Sequence, residues 1–127
     1  AGWRGTYDKI SEKTIEEMSK NYNSNPKDLI CVIGPSIGPC CYEVSKDLIE
    51  KFNINLANHA GKFDIIKDNK YYLDLWKINE LTLKDCKVKE ENIINLQVCT
   101  NCNHDKFYSY RKHDKTPKRI GTMIQIR

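Results

Sequence analysis

A chain of 127 residues with 39% hydrophobic and 30% charged side chains has the size and composition of one ordinary soluble globular domain. Its net charge of +4, from 21 basic and 17 acidic residues spread along the chain, is too mild to imply a nucleic-acid partner. No apolar run approaches a membrane span, and the N-terminus has neither the basic nor the apolar region of a signal peptide, so no membrane partner and a cytoplasmic location are expected.

The first residue is Ala1 with no methionine before it, as expected of a chain that is processed, cleaved or partial. After the opening Gly2-Trp3-Arg4-Gly5, the residues Tyr7, Ile10, Thr14, Ile15, Met18 and Tyr22 trace one face of a helix, and Lys9, Glu12, Lys13, Glu16, Glu17 and Lys20 take the other. Residues 21–26, rich in asparagine and closed by Pro26, end that helix. Leu29-Ile30-Cys31-Val32-Ile33 is a short β-branched apolar run of the kind a buried strand uses.

The loop Gly34-Pro35-Ser36-Ile37-Gly38-Pro39-Cys40-Cys41 then leads into a second helix, whose Val44, Leu48, Ile49 and Phe52 share a face. Its glycines permit close approaches that a side chain would block, and such loops bring backbone N–H groups to ligands at helix N-termini. On spacing alone, a structural turn is the favoured reading. Residues 53–62 read as a surface connection, with His59 at the surface or a pocket rim.

A short strand is predicted over 63–66 and a turn over 67–70. A third helix is predicted over 72–86, with Leu75, Ile78 and Thr82 on one line and Trp76, Asn79 and Leu83 on the next. It should lie against a sheet, with Asn79 buried only if its amide is satisfied. Residues 93–98 read as another strand, 107–110 as β-prone, and Ile120, Thr122, Ile124 and Ile126 alternate as a half-buried strand. The sum is an α+β unit of about five strands and three helices, with no internal repeat or low-complexity linker.

Six cysteines in a chain without a secretory leader are expected as thiols. Cys31 and Cys86 sit in apolar elements as small hydrophobes. Cys99-Thr100-Asn101-Cys102, followed by His104, has the C-x-x-C spacing by which two thiolates on a tight loop reach one tetrahedral ion. One pair is not a site, and the adjacent Cys40 and Cys41 normally point their thiols apart, so no complete metal site is expected within the chain. A small metal- or thiol-based binding module using Cys99 and Cys102 stands as the alternative function, beside a buried Cys99 with an incidental Cys102. Arg4, between two glycines and after Trp3, suits an anion holder or a structural ion pair. The one dense basic segment, residues 111–119, suits phosphate attraction or a solvated loop.

The words Ala1-Gly2-Trp3-Arg4-Gly5-Thr6, Gly34-Pro35-Ser36-Ile37-Gly38-Pro39-Cys40-Cys41-Tyr42-Glu43-Val44, Asp74-Leu75-Trp76-Lys77-Ile78-Asn79, Cys99-Thr100 and Phe107-Tyr108-Ser109-Tyr110-Arg111 occur in an order that resembles the polyphenol-oxidase (laccase-domain) family. Members of that family are regarded as zinc-containing purine nucleoside phosphorylases that also deaminate adenosine. The resemblance runs over residues 1–127 but covers only the second half of the family's domain. It therefore implies a C-terminal portion, completed by an N-terminal half of the same domain, in a layered architecture of sheet and helices.

The resemblance implies purine nucleoside and phosphate as substrates, and a zinc cofactor held by two histidines and a cysteine upstream of Ala1. No residue here inherits a metal-ligand role from it. Arg4 is the implied catalytic residue, and Gly34, Pro35, Ser36, Cys40, Cys41, Tyr108 and Arg111 are the candidate substrate-binding residues, with Tyr110 as a further stacking surface. The three scattered histidines, His59, His104 and His113, do not make a copper centre. The family often has glycine after the third helix, where Lys87 stands here.

Overall fold

Two small sheets organise the structure, a computed structural model that describes residues 1–125. The elements run α1 (Trp3–Tyr7), α2 (Ile10–Tyr22), β1 (Cys31–Ile33), β2 (Glu43–Val44), α3 (Lys46–Asn55), β3 (Asp64–Lys67), β4 (Lys70–Leu73), α4 (Leu75–Asp85) and β5 (Ile93–Asn95). Strand β1 pairs in parallel with β5, Val32 standing opposite Ile94. The second sheet is antiparallel, in the order β2-β4-β3. Its β3–β4 hairpin turns on Asp68 and Asn69, both at positive φ (50° and 57°), as a two-residue hairpin turn requires. The mixed α+β class expected from the sequence is the class observed.

The structure differs from the sequence reading in five places. The first helix is two: Lys9 takes a left-handed conformation at φ 53° and redirects the chain. This lets Tyr7 meet Phe52 edge-on at 5.4 Å while Ile15 of α2 packs with Leu83 and Val88. The third helix starts at Leu75, because Asp74 caps it by accepting the Lys77 N–H at 2.9 Å, and Tyr72 goes to β4. Strand β5 stops at Asn95, whose Oδ1 accepts the N–H of Gln97 at 3.0 Å with Gln97 at φ 52°. Residues 107–110 are not strand but a bend leading into a turn, with Ser109 buried, and 120–125 are not strand either; Ile126 lies outside the described residues.

Phe52, Phe63, Leu73 and Ile78 are the largest fully buried side chains. They belong to one cluster between α3, α4 and the antiparallel sheet, each worth about 1.5–3 kcal/mol by burial. Asn79 is satisfied within this packing: its amide donates to the Leu75 carbonyl at 2.7 Å and to Thr6 Oγ1 at 3.2 Å. Helix α4 ends with the Val88 N–H on the Leu83 carbonyl (3.2 Å) and the Lys87 N–H on that of Lys84 (2.9 Å), the two bonds of a Schellman motif. Lys87 occupies its left-handed position at φ 69°.

The β1–β5 sheet leaves apolar residues in the open. Val32 and Ile94 are each 44% exposed, and Ile30 and Leu96 flank them, also exposed. Parallel strands are otherwise found covered on both faces. Among the described residues, no helix is long and apolar enough to cross a membrane.

Candidate functional site

The loops that follow β1 and β5 are sewn together beyond the strands themselves. Leu96 donates to the Ile33 carbonyl at 3.1 Å, Ser36 to that of Val98 at 3.1 Å, and Thr100 to that of Ser36 at 3.0 Å. Together they extend the parallel pairing past the strands' carboxyl ends, where open α/β sheets bind ligands. Gly38 brings the first loop onto α4. The Trp76 indole lies against its Cα and donates to Ser36 Oγ at 2.6 Å.

Beside these loops opens a cavity of about 440 Å³, whose lining includes Trp3, Ser36, Tyr42, Thr100, Tyr108 and Arg111, a volume suited to a small-molecule ligand. Lys118 and Arg119 also reach it. Lys118 Nζ sits 4.8 Å over the Tyr108 ring, and Arg119 Cζ 5.9 Å over that of Tyr110. Arg111 stacks at 5.1 Å over Tyr42 and donates to the Glu43 carbonyl at 3.1 Å. Burial pushes the Tyr42 phenol up, against the opposite pull of Arg111 and Arg4. The lining therefore carries three cations and no histidine, cysteine or carboxylate among the described residues, a set suited to an anion beside aromatic faces.

Of the residues singled out in the sequence, Pro35, Ser36, Tyr108 and Arg111 line this cavity, as does Tyr110. Gly34 borders the neighbouring groove between α2 and β1. Arg4 is exposed on α1, its guanidinium 4.7 Å over the ring of Trp3; the cavity wall is Trp3 and not Arg4. Cys40 and Cys41 stand away from the cavity lining, because the turn closed by the Cys41 and Tyr42 N–H groups on the Gly38 carbonyl (3.0 Å each) carries them towards Cys99 and Cys102. Thr100, Lys118 and Arg119 were not singled out individually. The density of basic residues over 111–119 was the available signal for the last two.

The adjacent cysteines do not diverge. The sulfurs of Cys40, Cys41, Cys99 and Cys102 all lie within 4.8 Å of one another, with Cys41 to Cys102 at 3.4 Å and Cys40 to Cys102 at 3.6 Å. Cys99 is buried, Cys41 half-buried, and Cys40 and Cys102 exposed. The Gly38 N–H donates to Cys99 Sγ at 3.3 Å. Burial pushes the Cys99 thiol up, but the N–H groups of Gly38, Cys102 and Asn101 outweigh it and bring it down to about 7. Cys40 moves the other way, raised by burial and by its neighbours' thiols. Among the described residues, these four are the group placed to hold a metal.

The chain matches, over residues 1–127, the family model described as multi-copper polyphenol oxidoreductase laccase. It is 34% identical to a purine nucleoside phosphorylase of Clostridium acetobutylicum, over 98% of this chain and 50% of that protein. A protein named adenosine deaminase RL5, from an unknown prokaryotic organism, is 33% identical over 88% of this chain and 43% of its own length. The crystal structure of YlmD from Geobacillus stearothermophilus superposes with a TM-score of 0.83 at 31% identity, covering 91% of this chain and 43% of that one. The chain thus spans about half the length of the relatives it matches. A match along all 127 residues, with the same fold in a solved relative, places this chain in the multi-copper polyphenol oxidoreductase laccase family.

Proposed function

We propose that this chain is the C-terminal portion of a purine nucleoside phosphorylase that also deaminates adenosine, and that its cavity forms one wall of the nucleoside and phosphate site. Support comes from the named activities of the relatives and from a single feature of the chain, a cavity that combines Arg111, Lys118 and Arg119 with the rings of Tyr42, Tyr108 and Tyr110. In phosphorolysis a phosphate oxygen bonds to the ribose anomeric carbon while the carbon–nitrogen bond to the base breaks. The electron pair leaves with the base, which takes up a proton. Cations fixed beside the phosphate, and rings beside the base, lower that barrier by holding the reactants in line and countering charge.

Arg111, anchored on the Glu43 carbonyl, is the phosphate holder in this reading, with Arg4, stacked on the Trp3 ring, as a second cation close by. Tyr108 offers a stacking face, while Ser36 and the backbone of Pro35 form the wall. The zinc that the family resemblance implies does not fit the residues lining this cavity, which provide no imidazole, thiol or carboxylate. In this reading its ligands belong to the upstream half of the domain.

The test is phosphate-dependent release of base from inosine by the protein with its upstream half restored. Arg111→Met should raise the phosphate KM in a variant that melts normally. Unchanged phosphate dependence would remove Arg111 from the site, and no base release by the restored wild type would overturn the reading.

A further inference from the structure

We propose that Cys40, Cys41, Cys99 and Cys102 form a tetrathiolate zinc site that clasps the loop after β1 to the loop after β5. This site is separate from the zinc assigned upstream of Ala1, and it does not rest on the nucleoside reading.

Three observations carry it. A zinc ion about 2.3 Å from each of four tetrahedral thiolates holds the sulfurs about 3.8 Å apart. Here Cys41 and Cys40 lie 3.4 and 3.6 Å from Cys102, and no pair exceeds 4.8 Å. A disulfide would instead draw one pair to about 2 Å. All six cysteines are free thiols, and the four sulfurs are mutual neighbours, an arrangement that suits one ion better than two bonds.

The second observation is the backbone around Cys99. The Gly38 N–H, reaching across from the other loop, donates to its sulfur at 3.3 Å. A donor fixed on the thiolate spreads the sulfur's negative charge and fixes its direction, the support that partners of metal ligands provide. The cysteines also come from two loops already sewn together by the Ser36–Val98 and Thr100–Ser36 bonds, so metal binding needs little rearrangement.

Third, the ligand chemistry selects the ion. Four thiolates with no oxygen donor favour zinc over magnesium or calcium. With all four positions filled by protein, the site is closed and structural, not catalytic. Cys40 and Cys102 are exposed, which gives the ion a way in. Its effect is to lock the loop segments that carry Ser36 and Thr100 to the cavity wall.

The 127-residue chain, purified under reducing conditions, is titrated with zinc and with cobalt(II), and bound metal is counted after gel filtration. One equivalent per chain is expected, with cobalt giving thiolate charge-transfer bands and the visible bands of a tetrahedral centre. Cys40→Ser and Cys102→Ser, both at exposed positions, should each weaken binding by at least about 10–100-fold, whereas Cys31→Ser should bind as the wild type does. If a variant fails to fold, the wild-type cobalt spectrum decides alone. Absence of stoichiometric metal, a cobalt spectrum without thiolate bands, or tight binding retained by both folded variants would each overturn the proposal.

Discussion

A methyl group on Gly38 would stand 2.4 Å from Cη2 of Trp76 and 2.9 Å from its Cζ2. The absence of a side chain is therefore what lets the loop after β1 lie flat on α4, with the Trp76 indole N–H reaching Ser36 Oγ at 2.6 Å. Gly34, four residues earlier in the same loop, has nothing within 4 Å of its would-be Cβ.

These two glycines make a matched pair for experiment. Gly38→Ala forces the indole or the loop to move and should destabilise the protein by about 1–3 kcal/mol, as overpacking does. Gly34→Ala should fall within about 0.5 kcal/mol of wild type. Urea melts of the two variants check this; equal midpoints would mean that the Gly38–Trp76 contact relaxes at no cost.

The Schellman turn at Lys87 supplies a gain of stability. A left-handed non-glycine residue costs about 1–2 kcal/mol, and glycine returns part of this to the unfolded chain's entropy. Lys87→Gly should raise stability by roughly 0.5–1 kcal/mol, while Lys87→Ala, which keeps the Cβ, should not. Thermal melts of both variants distinguish a backbone effect from loss of the lysine charge.

What the sequence made legible follows from periodicity and from punctuation. The faces of α3 and α4 were readable because packing repeats every three to four residues, although Val44, read with the α3 face, lies in β2. Of the face read for α2, Ile15 is buried while Ile10 and Tyr22 are exposed, and the position of Lys87 came from the family resemblance. Residues whose surroundings come from distant chain were not readable. The break at Lys9 depends on Tyr7 meeting Phe52, and residues 107–110 bend into a turn, with Ser109 buried and hydrogen-bonded to Asn101 at 3.4 Å. The thiol cluster joins positions about sixty residues apart in sequence, which C-x-x-C spacing alone does not reveal. Of the cavity, the words around Ser36 and Tyr108 were legible, but the reach of Lys118 and Arg119 into it was not, since charge density does not tell a solvated loop from a ligand wall.

Cys86 offers a pH-dependent readout away from the thiol cluster. Burial, followed by the charges of Glu12, Asp85 and Glu16, pushes it up to about 11, and only the thiolate reacts with alkylating reagents. Below that value the native alkylation rate of Cys86 should climb about tenfold per pH unit, reaching its plateau above about 11. Without reductant but in denaturant, all six cysteines should react. Mass mapping of each site over pH checks both; a plateau for Cys86 near pH 8.5 would mean that neither burial nor the acidic neighbours bear on it.

The paired Val32 and Ile94, each 44% exposed, leave a face of the β1–β5 sheet uncovered, and the proposed function assigns to an upstream half both that cover and the rest of the site. Parallel strands are covered on both faces in finished α/β domains, and the cavity next to them holds cations and rings but no group for zinc. The 127-residue chain alone should therefore turn over neither inosine nor adenosine. With the upstream half restored, Arg4→Met removes the charge beside Trp3 while keeping much of the bulk. Loss of a charge-assisted bond to phosphate should cost about 1.5–3 kcal/mol, a fall in kcat/KM of roughly 10- to 150-fold. Thermal stability is measured on the same sample, because an arginine that only stacks on Trp3 would lower the melting temperature and leave turnover per folded molecule unchanged. Near-normal phosphorolysis by the folded variant removes Arg4 from the reaction, and turnover by the isolated chain would show that its own residues suffice for the chemistry.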